Sequence, residues 1–103
     1  MHIATLRRRL IEVREAIDAA VVADEAGDQL GAADIMEAAA RRLGDIDRGA
    51  PRPAWSPLAW VVRGEALGEV VNGVRRAPVN EGALVDWAAA RRVTVRDRAL
   101  AAS

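Results

Sequence analysis

Apolar residues recur at Ile3, Leu6, Leu10, Val13, Ile17 and Ala20, a three-four alternation kept over nearly three heptads, and no other pattern in the chain restricts its fold as much. An α-helix gathers positions three and four apart onto one face, whereas a strand would split them between both. The spacing predicts a helix from about Ile3 to Ala26, ended by Gly27. Arg7, Arg8, Arg9, Glu12, Arg14, Glu15 and Asp18 fall off the seam, and Arg14 and Asp18, four apart, suit an ion pair. Ile11 and Val22 also lie off it, and a second apolar stripe implies a second neighbour.

Asp28 has the chemistry of a helix cap, and Ala33, Met36, Ala40 and Leu43 repeat the seam before Gly44. Residues 1–44 thus read as an antiparallel helical hairpin whose alanines let the two axes approach. Residues 45–57 shift to Gly, Pro, Asp and Arg and form a connector. Prolines on both sides of Arg52 favour an extended path, so Arg52 and Trp55 are candidates for a partner-binding arm, with Trp55 packed over one end of the bundle as the alternative. Ser56 followed by Pro57 opens a third helix, expected to run to about Arg76 with Trp60, Gly64, Leu67, Val71 and Val74 on one face, although Gly64, Gly68 and Gly73 weaken it. Pro78 ends that element. Asn80 caps a fourth helix carrying Leu84, Val85, Trp87 and Ala88 to about Arg92, and Thr94 with Asp97 matches the capping pattern for a short fifth.

The expected fold is all-α: one domain over residues 1–103, a small bundle of about five helices, with hairpin, connector and C-terminal helices (58–103) in that order and no strand. The length of 103 residues suits one domain. Three tryptophans are the only aromatics, which leaves the core to Leu, Ile, Val and Ala.

Candidate chemistry is sparse. The chain has no cysteine, lysine or tyrosine, and its one histidine, His2, has no second imidazole to share a metal. The carboxylates Asp24, Glu25, Asp28 and Asp34, and the pair Asp45 and Asp47, gather near turns without the spacing of a calcium loop. Gly64, Gly68 and Gly73 follow no strand and lack the lysine of a phosphate loop. No catalytic, cofactor-binding or metal residue is predicted, and no enzyme activity is expected.

The net charge is zero, yet residues 1–50 hold seven arginines against ten acids and residues 51–103 eight against five. Opposite halves of −3 and +3 suit head-to-tail association or an acidic partner for the second half. No apolar run approaches the roughly 18 residues of a membrane span, and the N-terminus lacks the apolar core of a signal peptide. A cytoplasmic protein is expected, or one packaged into a virion.

Arg91, Arg92, Arg96 and Arg98 flank Val93-Thr94 in the outline of a helix-turn-helix, where arginine could read guanine edges. They are the candidate DNA or partner face. Against DNA, Arg92 stands where glycine is commonest and the last helix is short. The leading expectation is a non-catalytic helical assembly or adaptor protein that works through protein–protein contacts as a homo-oligomer, with Ile3, Leu6, Leu10, Val13 and Ile17 as its core or oligomer seam. Its size and class are those of adaptors at the head-to-tail junctions of tailed phages. A helix-turn-helix regulator dimerising through the hairpin is the first alternative, and a small anti-defence inhibitor of one target protein the second. No small-molecule substrate or cofactor is expected.

Overall fold

The first seam does build a helix. In the computed structural model, which describes residues 2–49, 56–72, 74–75 and 79–103, helix α1 spans Ile3–Glu25 and buries Leu6, Leu10, Val13 and Ala20, with Ile3 and Ile17 partly buried against the same core. Gly27 follows at φ +93°, where a side chain would be strained. There the Asp28 amide donates to the Ala23 carbonyl at 2.9 Å and the Gly27 amide to Asp24 at 3.0 Å, the closing pattern of a Schellman turn. Asp28 starts the next helix as its sequence position predicts, its Oδ1 accepting the Gly31 amide at 2.9 Å.

Helix α2, Gln29–Gly49, lies between its neighbours and packs against both α1 and the C-terminal helix. Such a position demands apolar or small residues on two faces, and Ala32, Ala33, Met36, Ala39, Ala40, Leu43 and Ile46 are all buried. Gly44 does not end this helix. It is buried inside it, and the missing side chain leaves the room that the Glu81 carboxylate fills. The connector expected over residues 45–57 is shorter than its composition suggests: residues 45–49 continue α2, where Ile46 is buried, and Ser56 and Pro57 already open the next helix. Residues 50–55, Arg52 and Trp55 among them, lie outside the described residues.

Helix α3 spans Pro57–Ala66, with the Ser56 Oγ accepting the Ala59 amide at 3.2 Å and Pro57 in the first turn. It packs on α1. The helix expected to reach Arg76 stops ten residues early. The Glu69 amide closes onto Gly64 at 2.8 Å and the Gly68 amide onto Glu65 at 3.1 Å, with Gly68 at φ +74°. A two-residue antiparallel pairing follows, β1 (Val70–Val71) with β2 (Val74–Arg75), Val70 opposite Arg75 and Val71 opposite Val74. Asn72 begins the reversal at φ 54°, and the Asn72-Gly73 dipeptide is a strong hairpin signal that the helical reading passed over. Val71 and Val74 therefore sit on this small ladder and not on a helix face.

Helix α4, Glu81–Ala102, is the largest correction. Asn80 caps it as predicted, its Oδ1 accepting the Ala83 amide at 2.8 Å. No break occurs at Val93-Thr94, so the fourth and fifth helices are one and the described residues hold four helices. The Thr94 hydroxyl donates back to the Ala90 carbonyl at 3.0 Å, the bond of a threonine inside a helix and not of a cap. The molecule is elongated, 54 × 28 × 18 Å.

Candidate protein-binding face

The four C-terminal arginines do not form an open basic face. Arg91 bridges from α4 to the end of α1, its Nη2 3.3 Å from Asp24 Oδ2, while its guanidinium lies 3.7 Å from the centroid of the Trp87 ring. Arg92 crosses to α2, donating to Glu37 Oε1 and to Asp34 Oδ1, each at 2.7 Å. Arg98 donates to Gln29 Oε1 at 2.8 Å. Arg96 alone of the four reaches no other helix, lying 3.6 Å from its neighbour Asp97. Arg92 and Arg98 thus tie α4 to α2 on both sides of Thr94, with the two helices antiparallel. Part of the charge difference between the two halves is met inside one chain, by Arg91 with Asp24 and by Arg92 with Asp34 and Glu37, which weakens the charge argument for head-to-tail association. Hydrogen bonds to Glu37 first and Asp34 second raise the Arg92 pKa, and a hydrogen bond to Asp45 followed by the charge of Glu81 raises that of Arg48. A raised base stabilises the fold at every pH below its unfolded value and stops doing so only in strong alkali, so both arginines remain cations throughout the working range.

A second polar cluster lies at the opposite end of α2, and the sequence reading missed it. Arg63, on the inner face of α3, is 6% exposed. Its Nε and Nη2 donate to the two Asp47 oxygens at 3.3 and 3.1 Å, its Nη1 to Glu69 Oε1 at 3.2 Å, and Nη2 also to the Val79 carbonyl at 3.3 Å. Glu69 Oε1 accepts the Val79 amide at 2.7 Å. One guanidinium thus joins the ends of α2 and α3 to the approach to α4. The signal was available: Arg63 stands one helical turn after Ala59 on the buried face, where a charge must find partners. These groups are committed to each other, so the cluster is structural.

The remaining candidate is the outer side of α1 and α3. Of the predicted seam, Leu6, Leu10 and Val13 are in the core, Ile3 and Ile17 at its edge. The off-seam Ile11 remains 40% exposed, and on α3 Leu58 and Val61 are 59% and 55% exposed. Between the two helices runs an open groove of about 630 Å³ with Ile3, Ile11, Leu58 and Val62 among its lining. Arg7, Arg8, Glu12 and Glu15 border it. Val22, at the far end of α1, is also exposed, as are Val85, Val93 and Leu100 along α4. Among the described residues no three His, Cys, Asp or Glu side chains converge as metal ligands, and no helix is long and apolar enough to cross a membrane.

Comparison with known proteins assigns no relationship: no family model matches the chain, and no curated protein or solved structure is significantly similar to it.

Proposed function

We propose that this chain is a non-catalytic assembly protein that works through protein–protein contacts, with further copies of itself as its first partner. The observation that carries the reading is the concave apolar surface between α1 and α3, where Ile11 and Leu58 stay exposed beside Ile3 and Val62. Scattered apolar side chains are ordinary on a protein surface, but a contiguous concave patch with a charged rim has the make-up of an interface. The polar clusters support the same reading from the other side. Arg63, Arg91 and Arg92 are engaged in holding the four helices together, whereas the residues that border the groove are exposed.

Light scattering on the eluting peak of a gel-filtration column, over a wide range of loading concentrations, tests this. A mass that rises from 11.0 kDa toward a defined multiple is the expected result. A constant 11.0 kDa at every concentration would remove self-assembly from the account.

A further inference from the structure

We infer that the α1–α3 groove receives α1 of a second copy in antiparallel orientation, about a two-fold axis close to Ile11. This rests on the assembly reading above and adds the occupant and its direction.

The order of charges along the outer face of α1 favours this occupant and this direction. Arg7 and Arg8 precede Ile11 and Glu12 and Glu15 follow it, and all four are exposed and border the groove. Among the described residues none of the four makes an ion pair or side-chain hydrogen bond, unlike Arg14, which pairs with Asp18 at 3.3 Å. Arg7 and Glu15 stand four residues on either side of Ile11, a separation of about 12 Å along a helix rising 1.5 Å per residue. A two-fold contact must be complementary to itself. Turning one copy of α1 end over end about Ile11 lays Arg7 of each chain opposite Glu15 of the other, twice, and sets Arg8 between the levels of Glu12 and Glu15, opposite Arg14, whose charge Asp18 already meets. A parallel pairing would lay arginine on arginine and glutamate on glutamate. The same rotation brings the two Ile11 side chains together at the axis, where Leu58 of each chain flanks them from α3. An acidic or basic partner of another kind would satisfy one block and oppose the other.

Charge exchange tests the direction, because all the altered residues are exposed in the single chain. Three variants are compared with wild type by native mass spectrometry: Arg7→Glu with Arg8→Glu, Glu12→Arg with Glu15→Arg, and all four changes together. The expected result is loss of the dimer peak in each double variant and its return in the quadruple variant, whose net charge is again zero. Circular dichroism checks that each variant remains helical. Because the chain has no cysteine, Ile11→Cys gives an independent reading, and it should oxidise to a covalent dimer faster than an Arg41→Cys control. Dimerisation that persists in the double variants, or that the quadruple variant fails to recover with no faster crosslinking at position 11, overturns the antiparallel geometry while the assembly reading stands. A wild-type chain that never dimerises overturns both.

Discussion

Arg63 on α3 and Asp47 on α2 meet side-on, Nε to Oδ1 at 3.3 Å and Nη2 to Oδ2 at 3.1 Å, in a place where the arginine side chain is 7% and the aspartate 11% exposed. Breaking such a pair from one side leaves an unmatched buried charge, which typically destabilises by about 3–5 kcal/mol. Arg63→Ala should therefore lower the unfolding free energy in urea by roughly that amount. Arg63→Lys should recover little of it, because an ammonium cannot make the two-pronged contact with Asp47 while also reaching Glu69 and Val79. A loss below about 0.5 kcal/mol, the scale of an ordinary surface change, would show that the cluster does not hold α3 in place.

Leu10 is fully buried at the centre of the α1 seam. Leu10→Ala should cost about 2–5 kcal/mol, while Arg41→Ala, on the exposed face of α2, should stay within about 0.5 kcal/mol. Equal shifts of the urea midpoint at one protein concentration would mean that α1 turns a different face inward.

Thr94 and Asn80 separate one long C-terminal helix from two short ones by sign. Asn80 is a working cap, so Asn80→Ala should destabilise by about 0.5–2 kcal/mol. Thr94 lies inside the helix and bonds back to Ala90, so Thr94→Ala should leave stability unchanged or raise it by up to about 0.7 kcal/mol, the span of ordinary helix propensities. Destabilisation by Thr94→Ala equal to that of Asn80→Ala would restore the cap and the break.

These contrasts show which parts of the fold were legible. The hairpin of α1 and α2, the turn at Gly27 and Asp28, and the starts at Ser56-Pro57 and Asn80 depend on residues within a few positions of each other, so local spacing revealed them. Thr94 and Asp97 satisfy the same local pattern as a true cap, and what overrides it is distant: Arg91, Arg92 and Arg98 reach Asp24, Glu37 and Gln29 on the other helices. The end of α3 went unread because Gly68 was taken as a weakness within a helix and not as its left-handed stop. The uneven charge of the two halves was visible, but sequence alone does not say whether such a difference is met by another chain or, as here in part across α2 and α4, within the same one. Of the proposed binding face, the off-seam Ile11 was legible as surplus apolar surface. Leu58 was not, because its exposure depends on where α3 stops and how it lies on α1.

Ile11 gives the most direct test of assembly, since it is 40% exposed in the single chain and central to the proposed contact. Sedimentation equilibrium of wild type and Ile11→Glu, each over a wide concentration range, separates folding from association. The account predicts a wild-type dimer at twice 11.0 kDa that dissociates on dilution, and an Ile11→Glu chain that stays at 11.0 kDa with unchanged helical content. A wild-type chain that sediments as a monomer throughout, or an Ile11→Glu chain that associates as strongly as wild type, would contradict it.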